Sequence, residues 1–216
     1  MAKQKGRNVR VEIAATFSVA KAVTEVTNAK PAVASAVGHG LAAGAVGFFQ
    51  NVAGMVELEG KAQAVASSTV DAFTLQGTNT VGYGDFTAGE FVSVATWLTL
   101  SQSTGYEISG GQADSLDATT LLDTERQTDN GMQAGQTVTI NGFSDATQAA
   151  MEKLDEDVDA DAYSVFRITF QNGERRVFRG QASRPGESLA VGQYATGSFT
   201  VNVKGKVLRL PKVAQA

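Results

Sequence analysis

Residues Tyr163–Gly180 read YSVFRITFQNGERRVFRG. Two runs rich in aromatic and β-branched residues flank Asn172-Gly173. That pair suits a type I′ turn, in which both central residues need positive φ. The stretch is therefore expected to form a β-hairpin. With that turn Phe170 lies opposite Arg175, and Ile168 opposite Val177. Phe166, Ile168 and Phe170 then share one face, and Phe178 points from the other. Both faces carry apolar groups, so one is expected to cover the core and the other to meet a partner subunit.

The pattern continues on either side of the hairpin. On the C-terminal side, GSFTVNVKGKVLRL alternates through Phe199, Val201 and Val203, with Gly205 as a bulge or break. On the N-terminal side, Thr147, Met151, Leu154 and Val158 lie at helical spacing and make one apolar stripe. Ser144 or Asp145 is expected to cap this helix. The anions Asp155, Glu156 and Asp157 are expected to end it near Leu154 or Asp155, because a helix C-terminus disfavours negative charge. The helix is placed at 145–155. TVTING, Thr137–Gly142, reads as a strand. Residues 101–135 are rich in Ser, Thr, Gly, Asp and Gln and read as a long loop, which is unusual in a compact domain unless it has a function or is disordered. FVSVATWLTL, Phe91–Leu100, reads as a strand with one or both faces buried. Val9, Val11 and Ile13 alternate with polar residues and mark another strand. Short strand-like runs near 23–27, 31–37, 45–50, 61–66 and 71–76 suit a small all-β module.

TVGYGD, Thr80–Asp85, has the letters of a potassium-channel filter, but a filter needs spanning helices of about 20 apolar residues. The charge-free stretch Pro31–Val56 is broken by Gly38, His39, Gly40, Gly44, Gly47, Gln50, Asn51 and Gly54. VGYGD is therefore expected in a glycine turn, with no membrane insertion. MAKQKGRNVR is basic, but Glu12 interrupts the apolar region that a signal peptide needs, so secretion by that route is not expected.

The 216 residues are 43% hydrophobic, enough for a core, and include no cysteine, which excludes disulfides and thiolate chemistry. Charge is segregated. Residues 1–30 hold 6 basic and 2 acidic side chains, residues 31–165 hold 3 and 18, and residues 166–216 hold 9 and 2. An acidic middle between basic ends reads either as a solvated acidic face or as complementarity between neighbouring copies.

Catalytic signatures are missing. His39 is the single histidine and reads as a turn residue between glycines. No metal site is expected, because no His or Cys cluster accompanies it. Asp114, Asp117, Asp123, Glu125 and Asp129 sit on a polar loop and not on the rigid frame that a glycosidase pair needs. Their spacing fails the calcium-loop template. Gly110-Gly111 is a weak phosphate-loop signal on its own. No cofactor is expected, and specific DNA readout has no support.

From Ser144 to Ala216, and through F-x-I-x-F-x-N-G-x-x-x-x-F-x-G at Phe166–Gly180 in particular, the chain resembles the major tail tube proteins of lambda-type, long-tailed, non-contractile bacteriophages. Trp97–Phe143 resembles the preceding part of such sequences. Residues 24–90, through the HGL turn, the V-x-GM-x-EL segment and the F-x-L strand, are similar to a small β-module of phage structural proteins. That module is sometimes labelled for a distant likeness to part of ubiquitin-activating enzymes. With no cysteine, no ubiquitin chemistry follows.

The resemblance implies a mainly β fold: a tail-tube β-sandwich with one short flanking helix, plus an inserted small β-domain. The expected division is an N-terminal arm and first strand at 1–23, the inserted module at 24–90, the sandwich at 91–204 and a basic C-terminal arm at 205–216. It also implies a non-enzymatic subunit of stacked, hexameric rings that form the conduit for genome delivery. The subunit is expected to assemble in the host cytoplasm and reside in the virion tail. Expected partners are other copies, the tape measure, tail terminator and baseplate or tip proteins, and DNA that passes without specific binding. Interface candidates are Tyr106, Asp114, Asp117, Leu121, Leu122, Arg126, Phe178, Arg184, Lys204, Lys206 and Arg209. The long loop is expected to become ordered between rings, and the module to project outward. Two other readings stay open: an adhesion or carbohydrate-binding decoration protein, and a hydrolase using Asp117 or Asp123.

Overall fold

Period-two alternation along the chain becomes strands throughout. The computed structural model describes residues 6–145 and 147–212; the arm residues 1–5 and 213–216 lie outside the described residues. In chain order the strands are β1 Arg10–Phe17, β2 Lys21–Val23, β3 Glu25–Val26, β4 Val33–Ser35, β5 Val46–Ala53, β6 Ala62–Ser68, β7 Ala72–Leu75, β8 Ala88–Thr99, β9 Ser103–Gly110, β10 Ala113–Asp117, β11 Thr128–Gln133, β12 Gln136–Phe143, β13 Ser164–Thr169, β14 Arg175–Ala182, β15 Gly186–Ser188, β16 Thr196–Val203 and β17 Leu208–Leu210. One α-helix, α1 Ala149–Asp159, stands between β12 and β13. The expected class, mainly β with one flanking helix, is the observed one.

A single curled antiparallel sheet runs β3-β4-β7-β6-β5-β8-β1-β13-β14-β16-β12-β9, with β2, β15 and β17 attached at its sides and β10–β11 apart as a two-stranded sheet. Three apolar clusters fill its folds. The first joins β1, β12, β13, β14, β16 and α1 through Ile13, Ile140, Phe166, Phe178, Val201 and Leu154. The second fills the 24–90 region around Phe49, Phe73, Leu75 and Phe91. The third lies between the two, where Val46, Phe48 and Ala64 meet Val165, Val177 and Leu210.

The expected domain boundary at 90/91 falls inside β8. The first half of that strand pairs with β2 and β5 (Lys21↔Phe91, Phe48↔Val92). Its second half pairs with β1 (Ala14↔Trp97, Glu12↔Thr99). Strand β8 is thus the backbone of both parts, and the third cluster seals them together. The 24–90 region continues the sheet instead of hanging from it.

The hairpin at 163–180 forms, but with a different register. Gly173 N–H donates to Phe170 O and Phe170 N–H to Glu174 O, each at 2.9 Å. Only Gly173 takes positive φ, +84°, and Asn172 Oδ1 accepts from Glu174 N–H. This is a three-residue loop, a type I turn ending in a left-handed glycine. It shifts the pairing by one residue, to Ile168↔Arg176 and Phe166↔Phe178. A one-residue shift turns every side chain of the second strand over. Phe178 therefore does not face away: it stacks on Phe166 at 5.3 Å and is fully buried. The opposite face of β14, expected against a partner subunit, is covered by the chain's own β5 and β6 through the third cluster.

The helix begins and ends later than expected, at Ala149–Asp159. Neither Ser144 nor Asp145 caps it; Gln148 holds that position without a side-chain cap. Asp145 instead accepts from the Thr147 N–H and hydroxyl, which fixes the approach to the helix. The acidic run continues as helix with part of its charge paired. Lys153 Nζ lies 2.7 Å from Asp157 and 3.5 Å from Glu156, and Arg184 pairs with Asp159. Asp161, at φ +51°, ends the helix in a left-handed residue.

Residues 101–135 are not a structureless loop. Strand β9 extends the main sheet beside β12 (Tyr106↔Ile140, Ile108↔Val138), and β10–β11 form a separate hairpin. The C-terminal arm is likewise not free over 208–210, where β17 pairs with β14. VGYGD is a turn, as expected: Tyr83 N–H donates to Thr80 O, and Gly82 has φ +87°.

Candidate assembly surfaces

The β10–β11 hairpin is exposed along nearly its whole length. Gly110 and Gly111 both have φ +79°, and a Cβ on Gly110 would lie 2.2 Å from Gly135 O. The chain leaves the sheet only because both positions lack side chains. The sequence showed the Gly-Gly pair but not this role. Beyond it, Leu116, Leu121, Leu122 and Met132 stand in solvent, with Leu121 and Leu122 essentially fully exposed. Asp114 is exposed on the same arm.

The tip is held by its own polar groups. Arg126 donates twice to Asp117 Oδ2, at 3.0 and 3.3 Å, and Asp117 Oδ1 accepts from Thr119 N–H. Asp123 Oδ2 accepts from the N–H and hydroxyl of Thr120. These hydrogen bonds hold both carboxyls below the usual aspartate range, led by the Thr119 side-chain contact for Asp117 and the Thr120 N–H for Asp123. Both carboxylates of the hydrolase reading are thus engaged in shaping a turn. Among the described residues no His, Cys, Asp and Glu group could hold a metal ion.

The other expected contact residues are scattered. Tyr106 is half-buried on β9 with its ring edge-on to Phe170 at 6.2 Å, and burial raises its hydroxyl pKa. Phe178 lies in the core and offers no surface, so it drops out as an interface residue. Arg184 pairs with Asp159 of its own chain. Lys204 Nζ sits 5.2 Å over the Tyr163 ring, while Lys206 is exposed beside Gly205. Arg209 is opposite Arg176 on β17. The structure brings Leu121, Leu122, Asp117 and Arg126 together on one arm. It places Lys204 and Lys206 at the turn near Gly60.

Two features escaped the sequence reading. One is the β15–β16 connection, where Leu189, Val191 and Tyr194 are exposed and Tyr194 packs edge-on to Phe143 at 5.8 Å. The other is the pair Arg175 and Arg179 at the seam between the two parts. Arg175 donates to Gly44 O at 2.7 Å and Gln76 Oε1 at 2.9 Å. Arg179 donates to Gly60 O at 2.9 Å and stacks over Phe48 at 4.0 Å. Burial lowers the pKa of both guanidinium groups. Their alternation with Val177 was visible; which segments they reach was not.

His39 is buried, with Nδ1 accepting from Leu41 N–H at 2.9 Å and its ring 5.1 Å from Phe73. It is a turn residue packed on the second cluster. Among the described residues no helix is long and apolar enough to cross a membrane.

A family model described as phage tail tube protein matches residues 53–211. The match begins within the 24–90 region and runs across β8 into the sandwich. No curated protein matches the chain.

Proposed function

The chain belongs to the phage tail tube proteins, and from that premise we propose that it forms hexameric rings that stack into the conduit for the phage genome. The coarser role, a structural subunit of the virion tail that assembles with itself and with other tail proteins, follows from the family. The observation that carries the finer reading is the β10–β11 arm. A lone two-stranded hairpin is at best marginally stable in water, and this one presents four large apolar side chains to solvent. Such a surface suits burial against another copy. In this reading Leu121 and Leu122 seat on the neighbouring ring, and the acidic tip (Asp117, Asp123, Glu125) faces basic groups such as Lys204 and Lys206.

Strand β9 supplies the second element. It is the last strand on its side of the sheet and is eight residues long. Its free N–H and C=O groups suit pairing with a strand of the adjacent subunit within a ring. Repeating one such head-to-tail contact by rotation closes a ring. The acidic excess of residues 31–165 would keep DNA phosphates from adhering during passage. Assembly in the host cytoplasm, with tape measure, terminator and tip proteins as neighbours, belongs to the same proposal.

The test is deletion of residues 112–134, which joins Gly111 to Gly135 across a gap the sheet already closes. The variant is expected to stay folded and soluble while hollow tubes vanish from negative-stain micrographs. Normal tubes from this deletion would remove the arm's role.

A further inference from the structure

The first cluster opens to the surface in a groove of about 240 Å³ between the start of α1 and the β12–β16 ladder. Its floor is apolar, formed by Ile140, Phe143, Met151 and Phe199. Its rim carries Asp145, Asp155 and Glu187. Asp145 is hydrogen-bonded to Thr147, and the cation in the lining, Arg184, is turned to Asp159. Asp155 and Glu187 are exposed and form no ion pair among the described residues. An occupant suited to this groove brings an apolar side chain and a cation together. The β1–β2 corner, Phe17-Ser18-Val19-Ala20-Lys21, carries both. Val19 is 82% exposed and Phe17 40%. The corner is fixed from within: Ser18 N–H donates to Ser93 O, the two serine hydroxyls meet at 2.8 Å, and Phe17 rests edge-on against Phe48 at 5.6 Å. Lys21 forms no ion pair among the described residues.

We propose that the β1–β2 corner of one copy seats in the groove of the next, with Val19 and the edge of Phe17 on the apolar floor and Lys21 against Asp155 and Glu187. The inference rests on the self-assembly reading above and adds a contact to it. Three observations select this occupant. The first is charge: an unpaired cation beside exposed apolar groups meets an apolar floor with unpaired carboxylates. The second is placement. Leu100, in the groove lining, donates its N–H to Val11 O near the start of β1, whereas Phe17 ends that strand. The strand between Val11 and Phe17 spans about 20 Å. The corner therefore lies away from its own groove, and the contact is head-to-tail, the kind that repeats from copy to copy. The third is continuity: Ser103, the first residue of β9, also lines the groove, so a neighbour paired along β9 lies beside it.

The competing segments fit less well. The exposed arm tip of a second copy carries Asp117, Asp123 and Glu125 against one Arg126 and would be repelled by the rim. The exposed connection from Leu189 to Tyr194 has no cation to offer it, and Tyr194 packs on Phe143 beside the groove of its own chain.

The absence of cysteine makes the test direct. In the full chain, Val19→Cys/Ser144→Cys is not expected to close within one subunit, because bridged Cα atoms must lie within about 7 Å. Under mild oxidation the assembled protein is expected to give a ladder of covalent oligomers about tenfold faster than the control Val70→Cys/Ser144→Cys, because docking raises the local thiol concentration. Hollow tubes without a ladder, or a ladder no faster than the control, overturn this contact and leave the tube reading standing. A chain that never assembles overturns both. Variants without cysteine give an independent reading. Lys21→Glu is expected to slow assembly, followed by light scattering, about tenfold by setting like charges face to face. Adding Asp155→Asn/Glu187→Gln to it is expected to restore most of the rate. Slowing that the neutral rim does not relieve overturns the proposal, as does no slowing at all.

Discussion

Two hairpins of this chain make opposite use of the same local geometry. In β13–β14 both faces are covered: Phe166, Ile168 and Phe178 enter the first cluster, Val165 and Val177 the third. In β10–β11 nearly every residue is exposed. The first is stabilised by what lies on either side of it. The second is held only by its ladder and by the side-chain hydrogen bonds of its tip. The comparison separates residues that make the subunit fold from residues free to act between subunits.

The largest expected effect lies in the buried hairpin. Phe166→Ala removes a ring stacked on Phe178 and tilted against Phe199, and is expected to cost about 3–5 kcal/mol of stability in chemical denaturation. A loss below about 1 kcal/mol would break the comparison, since it would mean the core can do without its central ring. Next comes the seam. Arg175→Leu leaves Gly44 O and Gln76 without their donor and is expected to cost about 1–3 kcal/mol in urea unfolding. A neutral result would show that the seam does not depend on the Arg175 guanidinium.

On the exposed hairpin the stability effect shrinks. Leu121→Ser/Leu122→Ser is expected to change subunit stability by no more than about 0.5 kcal/mol while preventing tube formation in micrographs. A large loss of stability would mean the arm contributes to the fold of the single subunit. The smallest effect is the acid response of the tip. Asp117 and Asp123 have lowered folded-state pKa values, so their stabilisation is complete above the usual aspartate range. It is lost as the pH falls through the lowered values. The Thr119 and Thr120 amide resonances should therefore shift with midpoints below that of an ordinary aspartate, while the signals of β13–β14 stay in place. Concerted movement of both sets would couple the two hairpins.

Much of the fold was legible. Alternation at Val9–Ile13 and Phe199–Val203 marked strands, and the Leu154 stripe marked the helix. Its C-terminus lies beyond the expected one because the dipole argument counted Asp155, Glu156 and Asp157 without Lys153 and Arg184, which pair with Glu156, Asp157 and Asp159 and offset part of that charge. Strand β9 was missed because Ser103–Gly110 is an edge strand with few large apolar groups, so its pattern is faint until β12 is beside it. The arm was read as a loop because a hairpin exposed on both sides has no hydrophobic period to reveal it. Among the expected contact residues, Leu121 and Leu122 stand almost fully in solvent. Phe178 was misplaced by one residue of register.

The strands with a clear apolar alternation, the α-helix, the hairpin at 163–180 and the turn at Val81–Tyr83 were determined by the sequence alone, because φ preferences and hydrophobic spacing act over a few residues. The register of that hairpin, the cover over its second face and the splicing of 24–90 into the main sheet were decided by tertiary structure. A one-residue slip changes little locally, since Asn172-Gly173 accepts either turn. It becomes prohibitive only when Phe178 must meet Phe166, and when Arg175 and Arg179 must reach carbonyls more than a hundred residues earlier.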